Sequence, residues 1–265
     1  MLYHARNGRT NAMDYVRFGK GSRTLILLPG LGDGLQTVKG TAIPMALTYR
    51  SLAGDFTVYM FSRKDPLPPF QSTRDMAGDL KTAMDSLGIG KADIVGVSMG
   101  GMIAQWLAID HPEKVNKLVL AVTAPCPNAG LTASIEEWVR YAMQGDHRAL
   151  MDSNVRKIYS EAYYRKNKWL VGVMGRLTKP KSYDRFLTQA RACANHDALD
   201  RLAEITAPTL ILAGQQDRII GSEPAGVMAE KIPNVDLKIY PQWGHGLYEE
   251  EKTFLPTVRA FLGTR

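Results

Sequence analysis

Cysteine is scarce in this chain. The only two in 265 residues, Cys126 and Cys193, lie far apart and match no metal-binding or redox spacing. Free thiols in a reducing compartment are therefore expected, and no disulfide framework. Long hydrophobic runs are missing too, since no apolar stretch approaches the roughly 18 residues needed to span a membrane. The opening residues, Met1-Leu2-Tyr3-His4-Ala5-Arg6-Asn7-Gly8, lack the apolar centre of a secretory leader. A cytoplasmic protein without a membrane partner is the expectation. No Gly-Lys-Ser/Thr follows a glycine-rich loop, which argues against a phosphate loop. The net charge of +7 comes from scattered basic residues. The densest group, Arg165-Lys166-Asn167-Lys168, suits a solvated helix face better than a nucleic-acid patch, so no nucleic-acid partner is expected. Repeats and low-complexity tracts are absent.

What is present is the composition of an ordinary globular protein, 45% hydrophobic and 22% charged, long enough for one large α/β domain with an insertion. Residues 2–5 and 13–18 read as two strands turning at Asn7-Gly8. Residues 24–28 form an apolar strand ending in Pro29-Gly30-Leu31-Gly32-Asp33-Gly34, and 56–61 form another. A helix follows over 74–87 and stops at Gly88. Strand 93–97, helix 100–110 and strand 117–122 continue the alternation, which indicates a parallel sheet with helices on both faces. From about 131 to 202 only helical periodicity is found. The strand rhythm then resumes with 209–213, a helix over 224–231, strand 235–240 and a last helix from about 249. The division that follows is an α/β core of residues 1–126 and 206–265, interrupted by a helical cap, 127–205. An insertion at the carboxyl edge of such a sheet roofs the crevice where ligands bind.

One stretch organises the rest. Gly96-Val97-Ser98-Met99-Gly100 places Ser98 on the turn between a buried strand and a helix. A nucleophile on so sharp a turn has strained backbone, and side chains at 96 or 100 would collide with the neighbouring strand or helix. The turn lifts the Ser98 oxygen out of the sheet and aims the first amides of the helix, Met99 among them, at any anion formed there. A dinucleotide fingerprint would need glycine where Ser98 stands.

A serine hydroxyl needs a base, best a histidine held in one tautomer by a carboxylate. Of five histidines, His4 falls in the first strand, His111 at a helix end, and His147 and His196 in the insertion. His245, in Trp243-Gly244-His245-Gly246 directly after the last strand, is the candidate base, because a histidine between two glycines is hard to explain as core packing. Asp217, just past strand 209–213, is the candidate acid; residues 121–130 contain no Asp or Glu to compete with it. Its alternative role is turn capping. The amide of Leu31, in the glycine-rich loop, is the candidate second oxyanion donor beside Met99.

With these residues the chain resembles the α/β-hydrolase fold family. Gly96-Val97-Ser98-Met99-Gly100-Gly101 is similar to its nucleophile elbow, Pro29-Gly30-Leu31-Gly32 to its oxyanion loop, and Ser98, Asp217 and His245 follow its chain order. Proline stands at position 29 where the family usually has a histidine that braces the loop, so the loop geometry is expected to differ while its backbone amide is kept. The resemblance implies an eight-stranded, mostly parallel sheet with a helical cap. It implies a serine hydrolase that cleaves a carboxylic ester or lactone of a small substrate through an acyl-enzyme, without metal or organic cofactor. Single-domain esterases, enol-lactone hydrolases and cofactor-free perhydrolases are the similar branches. C–C bond hydrolysis, peracid chemistry and ligand sensing with little turnover are the alternatives. The insertion carries Trp138 and Tyr141, candidate substrate-binding residues, and 13 Lys/Arg against 9 Asp/Glu between 131 and 205. His196 is weighed as a substrate contact and assigned a structural role.

Overall fold

The computed structural model describes residues 2–263. Eight strands form one sheet: β1 (Arg6–Thr10), β2 (Met13–Phe18), β3 (Arg23–Leu28), β4 (Phe56–Lys64), β5 (Ala92–Val97), β6 (Val115–Ala121), β7 (Thr209–Gly214) and β8 (Val235–Tyr240). Their order is β1-β2-β4-β3-β5-β6-β7-β8, and β2 alone runs against its neighbours. The expected eight-stranded, mostly parallel sheet is therefore present.

Side chains alternate across the strands, as a pleated sheet requires. Ile26, Leu28, Ile94, Leu118, Leu120 and Ile211 join one apolar cluster with helices α2 (Thr73–Ser86) and α3 (Met99–Asp110). Leu25, Leu27, Val95, Val119, Leu210 and Leu212 join a second, with α1 (Ala42–Thr48) and a carboxyl-terminal helix, Phe254–Gly263. The two clusters are the two faces of the sheet. Strands buried on both faces read as continuous apolar runs, which is how β3, β5 and β7 are written in the sequence.

Between β6 and β7 lie four helices and no strand: α4 (Ala129–Met143), α5 (His147–Ile158), α6 (Glu161–Leu177) and α7 (Asp184–Ala194). Leu131, Ile135, Trp138, Leu150 and Phe186 carry the first apolar cluster into this layer. The chain ends with α8 (Glu223–Lys231), the short α9 (Leu247–Glu250) and α10, the helix at Phe254–Gly263.

Two local expectations are corrected, and one helix is added. The first hairpin turns at Asn11-Ala12, whose φ values are 47° and 61°, and not at Asn7-Gly8; its first strand is Arg6–Thr10, and His4 lies in a 3-10 turn before it. Asparagine tolerates the left-handed region well, so Asn11 can open the turn. Gly8 sits inside β1 opposite Tyr15, where a Cβ would run into the tyrosine ring. The last helix is two helices, broken where the Glu251 carboxylate accepts the Thr253 amide and Pro256 occupies the first turn of the second. Helix α1 was not foreseen, because Pro44 disguises a short helix that tolerates proline in its first turn.

Helix α2 starts with a reciprocal cap. Ser72 Oγ accepts from the Asp75 amide at 3.1 Å, and the Asp75 carboxylate accepts from the Ser72 amide at 2.9 Å. Ser72→Ala is expected to cost about 1 kcal/mol in a urea unfolding curve with the slope unchanged; a loss under a few tenths would show that the cap is idle.

Candidate active site

The carboxyl ends of β3, β5, β6, β7 and β8 meet at one edge of the sheet, and the loops that leave them build the site. Ser98 follows β5 with φ 53° and ψ −120°. Its amide donates to Ala121 O at 2.9 Å; its carbonyl accepts from the Gly101 amide at 2.8 Å and from Thr123 Oγ1 at 2.8 Å. The glycines explain themselves geometrically. A Cβ at Gly96 would lie 2.5 Å from Gly100 O, one at Gly100 would fall on the Leu28 carbonyl, and one at Gly101 would lie 2.6 Å from the Thr123 side chain.

The structure brings Ser98, His245 and Asp217 together across 147 and 28 residues of chain. His245 Nε2 is 3.0 Å from Ser98 Oγ, and Nδ1 is 2.7 Å from Asp217 Oδ2. The Asp217 side chain is 1% exposed, and its second oxygen accepts the amides of Ile219 at 2.8 Å and Ile220 at 3.0 Å. An ionised, acceptor-only carboxylate requires Nδ1 to donate, which leaves Nε2 as the acceptor facing the serine hydroxyl. Turn capping and the histidine contact thus use different oxygens of one side chain.

Two loops carry this pair, and they are stitched backbone to backbone. Gln216 donates its amide to Trp243 O at 2.9 Å, and a Cβ at Gly214 would lie 2.5 Å from Gly244 O. The glycines around His245 have the same purpose. Gly244 lets the chain pass Gln216 O, and Gly246 lets it reach the helical layer, donating its amide to Ile158 O at 2.6 Å. Close backbone approach is what the Gly-His-Gly pattern encodes, and His245 itself is buried.

The 29–34 loop runs beside the serine: a Cβ at Gly30 would touch Ser98 Cβ at 3.5 Å and Oγ at 3.9 Å. Leu31 starts a 3-10 turn, Leu31–Gly34, and Met99 starts α3. Both amides therefore lie outside their helical hydrogen-bond ladders and remain free to donate to a ligand.

Proline at position 29 has no side-chain hydrogen-bonding group with which to brace this loop, and other residues do so. Arg63 Nη2 donates to Pro29 O at 2.5 Å, and the Arg63 amide donates to Asp33 Oδ2 at 3.1 Å. Asp33 also receives Arg185 Nη2 at 2.5 Å and Gln189 Nε2 at 3.3 Å, both from α7. Burial pushes the pKa of Arg63 down from its ordinary value, and the facing Asp33 carboxylate offsets this. Burial also lifts the adjacent Cys193 thiol to about 12, so it stays protonated. Sequence reasoning missed Asp33, Arg63 and Arg185. The signal was an acidic residue between two glycines, Gly32-Asp33-Gly34, in a loop that has proline at position 29.

Trp138 and Tyr141 both lie in α4. The indole of Trp138 donates to Ser153 Oγ at 3.1 Å with Lys157 over its ring, and Tyr141 packs on the first cluster with Arg140 over its ring. His196 is 1% exposed, 2.9 Å from Thr73 Oγ1 and edge-on to Trp106. Burial pushes its pKa down to about 4, against a smaller opposing pull from Asp197. Cys126 and Cys193 are free thiols. Among the described residues no three His, Cys, Asp or Glu side chains gather closely enough to hold a metal ion, and no helix is long and apolar enough to cross a membrane.

Comparison with known proteins agrees with this architecture. A family model described as the alpha/beta hydrolase fold matches residues 23–252. The chain belongs to the α/β-hydrolase fold family. Among curated relatives, the 2-hydroxy-6-oxononadienedioate/2-hydroxy-6-oxononatrienedioate hydrolase of Cupriavidus pinatubonensis is 28% identical, over 92% of this chain and 88% of that protein. The poly(3-hydroxyalkanoate) depolymerase of Ectopseudomonas oleovorans is 30% identical, over 68% of this chain and 63% of that protein. Among solved structures, the α/β hydrolase MGS-M2 from a Medee basin deep-sea metagenome superposes with a TM-score of 0.84 at 21% identity, covering 98% of both chains. The enol-lactonase of Burkholderia xenovorans superposes at 0.80 and 20% identity, over 98% of this chain and all of that one.

Gly100→Ala is expected to cost at least about 3 kcal/mol or to prevent folding, because the new methyl meets immovable backbone. Gly90→Ala, where a Cβ meets nothing within 4 Å, should stay within about 0.5 kcal/mol; similar losses in denaturant unfolding would refute the contrast. On unfolding, His196 takes up a proton near its ordinary 6.5, whereas the folded chain withholds it until about 4. Stability is thus full above 6.5 and is lost as pH falls through that window, by about 3 kcal/mol. The stability difference between wild type and His196→Asn should shrink by that amount from pH 7 to pH 4; a constant difference would rule it out.

Proposed function

We propose that the chain is a serine hydrolase that cleaves a carboxylic ester or lactone of a small molecule through Ser98, His245 and Asp217. The observation that carries this reading is the unbroken line Asp217–His245–Ser98, at 2.7 and 3.0 Å, beside two helix-start amides. His245 takes the Ser98 proton as Oγ attacks the carbonyl carbon, and Asp217 stabilises the imidazolium. The amides of Met99 and Leu31 receive the oxyanion. His245 returns the proton to the leaving alcohol, then activates the water that releases the acid. Helices α4–α7 are the cap, residues 127–205, over the core formed by 1–126 and 206–265. No metal or organic cofactor enters any of these steps.

A second reading, C–C bond hydrolysis with the same residues, is supported by the Cupriavidus relative. Its 6-oxo-dienedioate substrate has a ketone within a carbon chain and no ester bond, so hydrolysis there must break a bond to carbon. In that case His245 would protonate a carbon leaving group.

Release of p-nitrophenol from esters of graded chain length, wild type beside Ser98→Ala, tests the first reading. Ser98→Ala is expected to lose on the order of 10⁴-fold or more in kcat while keeping its circular dichroism, and Asp217→Asn about 10³- to 10⁴-fold. Ester hydrolysis retained in Ser98→Ala would end the proposal. Silence on every ester, with Ser98-dependent bleaching of a 2-hydroxy-6-oxo-dienoate, would select C–C hydrolysis.

A further inference from the structure

The cluster behind the 29–34 loop contains an interaction that bracing by the core alone does not need. Arg185 belongs to α7, 152 residues along the chain from Asp33, yet it makes four hydrogen bonds to the core edge. Its Nη2 donates to Asp33 Oδ2 at 2.5 Å and to Arg63 O at 3.0 Å, its Nε to Lys64 O at 3.0 Å, and its Nη1 to Asp33 O. The Asp33 side chain is 1% exposed and that of Arg185 12%. Next along α7, Phe186 lies against Gly34 so closely that a Cβ on the glycine would sit 2.8 Å from Phe186 Cα. One turn further, Gln189 reaches the same carboxylate. Helix α7 is therefore seated on the loop by backbone contact and fixed there by one planar guanidinium.

That seating bears on the amide beside Ser98. Leu31 N–H belongs to the Gly30–Leu31 peptide, whose carbonyl accepts from the Asp33 amide at 3.3 Å. Asp33 sets the far end of the same short turn, so where Asp33 is held decides where the Leu31 amide points. Arg63 holds it from the core and Arg185 from the helical insertion. We propose that Arg185 is a positioning residue for turnover: through Asp33 it makes the oxyanion geometry depend on the docking of helix α7. The inference rests on the serine-hydrolase reading, in which the Leu31 amide receives the developing charge. An insertion that moves off the core then takes the donor out of line, and its return restores the donor.

Arg185 is the residue to change. Removing Asp33 would leave two buried guanidinium groups without a carboxylate, whereas removing Arg185 leaves Asp33 still facing Arg63, at 3.7 Å. Arg185→Gln and Arg185→Lys are compared with wild type and Ser98→Ala in the full chain. The readouts are kcat and KM on the best p-nitrophenyl ester, and the Ki of a trifluoromethyl ketone that forms an oxyanion on the serine. Positioning predicts that Arg185→Gln lowers kcat by roughly 10- to 100-fold, raises that Ki by a similar factor, and leaves KM within about threefold. Arg185→Lys, which keeps the charge without the fork, should recover part of the loss and provides a folded comparison if the glutamine variant unfolds. A packing role alone predicts a lower Tm and a raised KM with kcat and Ki within twofold of wild type. That result overturns the proposal. Ser98-independent ester hydrolysis would overturn the underlying reading and this inference with it; a Ser98-dependent enzyme indifferent to Arg185 would overturn the inference alone.

Discussion

A serine at φ 53° occupies backbone space that costs on the order of 1–3 kcal/mol, and it persists only where its surroundings overdetermine it. Here they do. The strain at Ser98 is matched one strand over by Val122, a β-branched residue at φ 45°, directly after β6. Val97 and Ala121 pair across β5 and β6, so the two strained residues stand side by side at the ends of their strands. Val122 donates its amide to Leu212 O, and its turn delivers Thr123, whose hydroxyl holds the Ser98 carbonyl. The backbone of Ser98 is thereby fixed by three parallel strands at once. The parallel sheet is the part of the fold able to supply such support, because its interior strands end at one edge in close register.

The electrostatics follow a different logic from the backbone. Asp217 spends one oxygen on its own loop and the other on His245, so the carboxylate that orients the imidazole is itself immobile. The 29–34 loop is held by a denser arrangement, one carboxylate between two guanidinium groups with little solvent. Buried ion pairs of this kind seldom add stability over an apolar core of equal volume. Their value is directional. A guanidinium with several fixed acceptors admits one geometry, where apolar packing would admit several.

Much of this was legible in the sequence, for physical reasons that can be named. Strands β3, β5 and β7 are buried on both faces, which forces unbroken apolar runs, and the glycines at 96 and 100 mark where backbones nearly touch. Gly244 and Gly246 marked the His245 loop in the same way. What was not legible depends on contacts remote in the chain. Gly8 looked like a turn signal because the tyrosine ring it makes room for is seven residues away across a hairpin. Asp33, Arg63 and Arg185 lie in three separate elements, and no periodicity connects them.

The contact between Gly246 and Ile158 bears on how far the helical segment can be exchanged. The chain at 158 supplies a carbonyl that accepts the amide next to His245, and Tyr159 and Ser160 reach Glu249 and Glu250 just beyond. A segment grafted from a relative would bring its own pocket walls, but it would also have to present a backbone oxygen at that one point, or the histidine's loop would lose an anchor. Recombination within this architecture is therefore constrained at its seams as well as in its packed interior. The points a replacement would have to reproduce are the chain at 158–160 and the face of α7 at 185–189.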